Sequence, residues 1–370
     1  MQSQAAELSI IVPTFNEREN VLELVRRLTE CLNGNSWEVI FVDDDSPDGT
    51  ADLVRKISRE NSHVHCIQRI GRRGLSSACV EGMLASSAPY LAVMDADLQH
   101  DESVLPRMLD TLRTGDFDIV VGSRYAEGGG IGGWDKNRAK ISRFATSLSR
   151  LIVKRDLSDP MSGFFALRRE ALEHTVHNLS NIGFKILFDI LASASQPLRL
   201  REISYEFKNR HAGESKLDSQ AVWGYLMLLG DKLFGHIVPV RFVAFTVVGG
   251  VGVLVHFSVL TVLFQALTLP FSISQAVATA VAMAGNFALN NALTYRDMRL
   301  KGWRWITGLV SFMLVCSLGA FANVGIASYL FVHDTIWVLA ALAGIVVGAV
   351  WNYAVTAIYT WNKPGRNRRP

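Results

Sequence analysis

Tyr90-Leu-Ala-Val-Met-Asp-Ala-Asp-Leu-Gln-His-Asp101 is the stretch on which the fold and the chemistry of this chain turn. Tyr90 to Met94 is an apolar run of the length and composition of a short, fully buried strand. The chain then becomes abruptly polar and delivers Asp95, Asp97 and Gln99. Alternate residues of an extended backbone point the same way, so these three side chains can converge. Hard oxygen donors on one side of a site suit Mg²⁺ or Mn²⁺ when substrate phosphates fill the other positions. An isolated Asp-x-Asp reads more readily as a helix cap after a strand, so its neighbours must decide.

Outward from this stretch, short apolar runs alternate with amphipathic ones. Leu8–Pro13, Trp37–Val42, His63–Gln68, Tyr90–Met94 and Asp118–Val121 read as strands. Helical spacing falls at 21–32, 51–59, 76–85 and 103–113. The alternation predicts a doubly wound, mostly parallel α/β sheet, whose ligands lie beyond the carboxyl ends of the strands. Polar clusters occur at just those ends: Thr14–Glu17, Asp43–Thr50, Asp95–Gln99 and Gly122–Tyr125. A glycine-rich run, Gly128–Gly133, reads as a loop and lacks the strand–turn–helix setting of a dinucleotide fingerprint.

The 370 residues carry a net charge of +3, but unevenly. Before Val238 the balance leans acidic; after it, basic and strongly apolar. Residues 1–237 are therefore expected to form one domain and 238–370 an all-α membrane domain of four spans, at 238–267, 271–292, 306–332 and 336–359. Arg296, Arg299, Lys301 and Arg304 in the middle connector, with a basic tail, place the connector (296–304), the C-terminus and the front domain in the cytoplasm by the positive-inside rule. Tyr295, Trp303, Trp305, Tyr359 and Trp361 are expected as interfacial anchors at the span ends. Asn286-Phe-Ala with Thr294-Tyr295 recurs as Asn352-Tyr-Ala with Thr360-Trp361, the mark of a duplicated helical hairpin. Asn286, Asn290, Asn291, Asn323 and Asn352 are costly against lipid and should face one another or a cavity. A basic amphipathic stretch at about 138–154 has the form of an interfacial helix, or equally of a solvated helix on the front domain. The scattered cysteines form no metal spacing, Met1–Glu7 has no signal-peptide pattern, and no basic patch interleaved with aromatics suggests nucleic acid.

Taken together, Val42-Asp-Asp-Asp-Ser-Pro-Asp-Gly-Thr50, Asp95-Ala-Asp-Leu-Gln-His100, Gly122-Ser-Arg-Tyr125 and Asp159-Pro-Met-Ser-Gly-Phe-Phe-Ala166 resemble family 2 glycosyltransferases of the GT-A fold, and more narrowly dolichol-phosphate mannose synthases. Asn286-Phe and Asn352-Tyr in the last 130 residues resemble a GtrA-type membrane domain. The resemblance implies that Pro13, Phe15, Asn16, Glu17, Asp43, Asp44 and Ser46, with Asp95 and Ala96, bind the donor GDP-mannose. It implies that Asp95, Asp97 and Gln99 hold Mg²⁺ or Mn²⁺, with Asp97 counted among the catalytic residues. Arg124, Arg138 and Ser142 would receive the phosphate of a polyprenyl lipid, and Arg210 and Lys216 would close over the donor diphosphate. Phe15 stands where the family often has Tyr, Asp45 where Asn is common, and Arg72-Arg73-Gly74 replaces a Lys- and Gly-rich loop.

A phosphate acceptor is already largely ionised near neutral pH, so it needs positioning more than a base. An inverting, in-line displacement without an enzyme nucleophile is the expectation. Glycoside hydrolysis would need carboxyls on opposite sides of the scissile bond rather than side by side. UDP-glucose with undecaprenyl phosphate is the nearest alternative pair of substrates, and a lipid-linked sugar flippase the alternative role for the membrane domain. A processive synthase is excluded by the absence of a Gln-x-x-Arg-Trp segment after the catalytic part.

Overall fold

Strand β1 (Leu8–Thr14) is buried at every position and lies inside the front sheet, next to its central strand. The structure, a computed structural model, describes residues 5–126, 157–180, 183–207, 225, 227–232, 239–333 and 337–361. These fall into two compact units, Met1–Leu233 and Phe234–Pro370.

In the first unit β1 is followed by α1 (Arg18–Cys31), β2 (Trp37–Asp43), α2 (Thr50–Glu60), β3 (Val64–Gln68), α3 (Leu75–Ala85), β4 (Tyr90–Val93), α4 (Leu105–Arg113) and β5 (Ile119–Ser123). Then come β6 (Phe165–Arg168), α5 (Arg169–Thr175), α6 (Ile186–Ser193) and β7 (Leu200–Ser204). The seven strands lie in the order β3-β2-β1-β4-β6-β5-β7. β1 pairs in parallel with β2 and β4, β2 with β3, and β5 with β7. β6 is antiparallel to both β4 and β5. A reversed strand begins where its neighbours end. The segment before β6 therefore meets the carboxyl ends of β4 and β5.

Alternation along β1 splits its side chains between two cores. Leu8, Ile10 and Val12 join Val21, Leu24 and Leu28 of α1 and Leu105, Met108 and Leu112 of α4. Ile11 faces Ala78, Cys79 and Met83 of α3 and Ile186, Leu187 and Ile190 of α6. Each fully buried aliphatic side chain contributes about 1.5–3 kcal/mol. Helix α3 lies so close to the sheet that a Cβ on Gly82 would sit 2.6 Å from Ile11 Cγ2.

The second unit holds α7 (Val240–Thr261), α8 (Phe271–Leu289), α9 (Trp303–Val332) and α10 (Trp337–Tyr359). Wider turns, Val262–Ala266 and Asn290–Thr294, extend α7 and α8. Among the described residues three helical stretches, Val240–Ala266, Phe271–Thr294 and Trp303–Asn323, are long and apolar enough to cross a bilayer.

The sequence repeat takes the form of an internal pseudo-two-fold. Asn286 of α8 presses on Gly252 of α7, where a Cβ would lie 2.3 Å from Asn286 Oδ1. Asn352 of α10 presses on Gly319 of α9 in the same way, at 2.1 Å. Phe245 meets Tyr353 at 5.8 Å between ring centroids, and the corresponding Phe312 meets Phe287 at 5.7 Å. Tyr295 and its repeat partner Trp361 stack directly, 4.0 Å apart and 7° from parallel. Equivalent residues touch their own counterparts only near a symmetry axis.

Two anchor expectations fail here. Tyr295 and Trp361 are each 1% exposed and belong to this core, whereas Trp303 and Tyr359 are exposed. The aromatic positions at a span end do not distinguish an interface from a helix crossing. Asn291 explains the difference: its Oδ1 accepts from Leu300 N at 2.8 Å and Trp361 Nε1 at 3.2 Å, pulling the connector and Trp361 inward. Asn290 and Asn291 are buried and bonded to their own unit.

Candidate active site

Four loops at the carboxyl ends of β1, β2, β4 and β5 build the site. Among the described residues, non-glycine positive φ occurs at Asn16 (57°), Asp45 (58°) and Leu98 (61°), one in each of the first three loops, and at Thr268. Left-handed backbone costs about 1–2 kcal/mol outside glycine and persists where surrounding bonds over-determine it.

The first two loops are stapled together. Asp43 is fully buried and accepts from Thr14 Oγ1 (3.1 Å), Ser46 N (2.9 Å) and Ser46 Oγ (2.6 Å). Ser46 Oγ in turn accepts from Asn16 N at 2.9 Å. Glu17 N donates to Thr50 Oγ1, and Arg18 N to Asp48 Oδ2, both at 3.2 Å. Pro13 is buried within β1 opposite Val42, while Asn16 is exposed and Phe15 and Glu17 are partly so. The Arg73 guanidinium lies 4.3 Å above the Phe15 ring, a cation–π contact that takes no part of the hydroxyl chemistry Tyr would offer.

Asp44 is buried and accepts from Gly74 N (2.7 Å) and Arg69 Nη1 (2.6 Å). Burial pushes its carboxyl up, against the opposing pull of the Gly74 N–H and the guanidinium. Arg69 is 3% exposed and also donates to Gly74 O, Ser77 Oγ and Glu81. It thus ties the β2 end to the loop before α3. Arg69 was not picked out from the sequence; a basic residue directly after strand β3, at the edge where the other clusters lie, is the signal.

After β4, Asp97 and Ala96 are buried and Asp95 and Gln99 partly exposed. Gln99 N donates to Asp97 Oδ1 at 3.2 Å, closing the turn that Leu98 forces. Among the described residues no group of three or more His, Cys, Asp or Glu gathers as a cage. Two carboxylates and an amide on one turn instead match a hard cation that shares its shell with water and substrate phosphates. His100 is 2% exposed, stacked on Phe164 at 5.1 Å, with Tyr205 and Phe207 at its edges. Burial pushes its imidazole down to about 4, so it is neutral at pH 7.

At the end of β5, Arg124 donates Nε and Nη2 to Asp159 at 2.7 and 2.8 Å, and its backbone N to the same carboxylate at 3.2 Å. Asp159 is fully buried. Burial opposes the Arg124 charge, and the carboxylate outweighs it and raises the guanidinium pKa. Glu202 on β7 holds this loop in turn, accepting from Ser158 N and Oγ and from Asp159 N. Arg124 is therefore a fixed cation rather than a swinging one. Nothing in the weak alternation of β7 marks Glu202, or the buried Tyr205 beyond it. Arg138, Ser142, Arg210 and Lys216, with the stretch 138–154 and the Gly128–Gly133 run, lie outside the described residues.

Residues 9–176 match the family model "Glycosyl transferase family 2", and residues 244–361 match "GtrA/DPMS, transmembrane domain". A dolichol-phosphate mannosyltransferase of Pyrococcus furiosus is 35% identical over 357 residues, 96% of this chain and 99% of its own. The chain is a family 2 glycosyltransferase. The transferase is also 36% identical over 234 residues to a dolichol-phosphate mannosyltransferase of Saccharomyces cerevisiae, covering 61% of the transferase and 86% of the yeast protein. A solved glucosyl-3-phosphoglycerate synthase of Mycobacterium tuberculosis, bound to Mn²⁺ and uridine-diphosphate, is 17% identical with a TM-score of 0.46, over 61% of this chain and 78% of that one. The GtrA/DPMS domain and the apolar helices make the transferase a membrane protein, with an α/β, mostly parallel catalytic sheet of GT-A type followed by a helical membrane unit.

Proposed function

We propose that this transferase moves mannose from GDP-mannose to the phosphate of a polyprenyl lipid of the dolichyl type, with inversion. The near full-length identity to a dolichol-phosphate mannosyltransferase carries this reading, because it covers catalytic and membrane units together. The donor would lie over the β1 and β2 loops, with Asn16, Glu17 and the Asp43–Ser46 turn facing the nucleoside. Mg²⁺ or Mn²⁺ held by Asp95, Asp97 and Gln99 would supply charge neutralisation for the departing diphosphate. Arg124, locked by Asp159, presents a preorganised positive charge on the acceptor side, which costs no reorganisation when the lipid phosphate arrives. Arg138 and Ser142 would share that phosphate, and Arg210 and Lys216 the donor diphosphate. The nucleophile is an ionised phosphate, so no side chain has to take a proton from it.

The domain boundary at 237/238 and a cytoplasmic catalytic unit, 296–304 loop and C-terminus belong to the same proposal. Cysteine labelling at 301 and 368 in sealed vesicles reads the orientation. The deciding assay gives the purified protein labelled GDP-mannose or UDP-glucose with a polyprenyl phosphate, with and without Mn²⁺. Lipid-linked mannose is the expected product; label from UDP-glucose alone would move the donor assignment, and no lipid-linked label from either would remove the activity. Product found on both leaflets of sealed vesicles would give the membrane unit a flippase role.

A further inference from the structure

Both ring nitrogens of His100 address one residue. Nδ1 accepts from the Asp95 backbone N at 3.2 Å, and Nε2 stands 4.0 Å from Asp95 Oδ2. An Nδ1 that accepts leaves the proton on Nε2, so the positive edge of the imidazole faces the Asp95 carboxylate. The ring itself cannot turn. Phe164 stacks on it 13° from parallel, and Tyr205 and Phe207 close its edges at 5.9 and 5.8 Å. Gly163, next to Phe164, completes the setting: a Cβ there would lie 3.2 Å from Asp95 Oδ2 and 3.6 Å from His100 Cε1. The Gly163-Phe164 step therefore fixes the imidazole with one residue and leaves room for the carboxylate with the other.

We propose that His100 is a positioning residue that aims the Asp95 carboxylate at the divalent cation, with Gly163 keeping open the space in which that carboxylate lies. This rests on the metal–diphosphate reading of the Asp95–Gln99 turn given above. Asp95 has a side chain 39% exposed, and an aspartate so exposed ordinarily samples several rotamers. Holding one of them before the cation arrives removes that ordering cost from binding. The same geometry denies His100 the part of general base, since its nitrogens are turned to Asp95 and its ring is enclosed.

The test is Mn²⁺ binding to the full-length protein in detergent with saturating GDP, read from the electron paramagnetic resonance signal of free Mn²⁺. His100→Phe keeps the stack and removes both nitrogens. Partners that orient a metal ligand are commonly worth 10–100-fold in affinity, so this variant should bind Mn²⁺ at least about tenfold more weakly. His100→Gln can place an amide N–H at the Nε2 position, facing the carboxylate, and should recover most of the loss; His100→Asn, whose amide reaches only the Nδ1 position, should not. Gly163→Ala should weaken binding with His100 intact. If His100→Phe does not fold, the Asn–Gln contrast decides. Equal Mn²⁺ affinity in wild type and His100→Phe, or in the Asn and Gln variants, overturns the inference. Failure of the wild type itself to bind Mn²⁺ would instead overturn the metal–diphosphate reading.

Discussion

Asp159→Asn is nearly isosteric, yet it should unsettle the catalytic unit more than most core truncations. The wild-type carboxylate is fully buried and receives three N–H groups of Arg124, at 2.7, 2.8 and 3.2 Å. An amide removes the negative charge and turns one acceptor into a donor facing a guanidinium N–H. The guanidinium side chain is only 10% exposed, so water does not replace what is lost. Breaking one partner of a buried pair costs about 3–5 kcal/mol. At roughly 2–4 °C per kcal/mol for a unit of this size, even the lower figure lowers the melting temperature by about 6–12 °C. Tryptophan-fluorescence melting of the full-length protein in detergent, with transfer assayed in parallel, reads both effects. The double variant Arg124→Met/Asp159→Leu removes both charges and should melt well above Asp159→Asn, while transfer stays lost. Melting of Asp159→Asn within 2 °C of wild type would refute the view that this pair fixes the loop after β5.

Asp97→Asn should abolish Mn²⁺-dependent transfer while leaving the melting temperature within a few degrees; full activity would break the metal assignment. Arg69→Lys keeps the charge but not the fork that spans Asp44, Gly74 and Ser77, so the donor KM should rise about tenfold, or about 1.4 kcal/mol, with a smaller change in kcat. Gly252→Ala and Gly319→Ala each thrust a methyl into an asparagine amide on the neighbouring helix, and should cost similar amounts, about 1–3 kcal/mol, in the two halves of the membrane unit; a large effect in only one half, measured by melting in detergent, would contradict the two-fold. The Glu7 carboxyl is held below its ordinary 4.5 by its hydrogen bonds to Arg113. A depressed carboxyl pKa adds stability above the unfolded value and loses it as pH falls through the folded one. Glu7→Gln should therefore melt slightly below wild type at pH 6, by less than about 1 kcal/mol, and converge with it as pH falls through the folded-state pKa; a gap that widens toward acid would reverse the sign.

Periodicity alone determined the five parallel strands, the helices between them and the apolar last third, because a strand buried on both faces and a helix with one apolar stripe leave different spacings in a sequence. It also placed Asp43, Asp44, Asp95, Asp97 and Arg124 at strand ends, and paired Asn286 with Asn352. What each side chain does once there depends on residues far away in the chain. Asp43 is spent on Thr14 and Ser46, Asp44 on Arg69 and Gly74, and Arg124 on an aspartate 35 positions later. Strand β6 runs against its neighbours, and only that reversal brings Gly163 and Phe164 beside the Asp95-Ala-Asp97 turn. Tyr295 and Trp361 look in sequence like residues for a membrane surface, but a pseudo-symmetry axis stacks them inside the bundle. Local composition records whether a residue is apolar, charged or aromatic. Which partner satisfies it is a matter of tertiary proximity, and in this transferase that proximity decides which carboxylates build the loops.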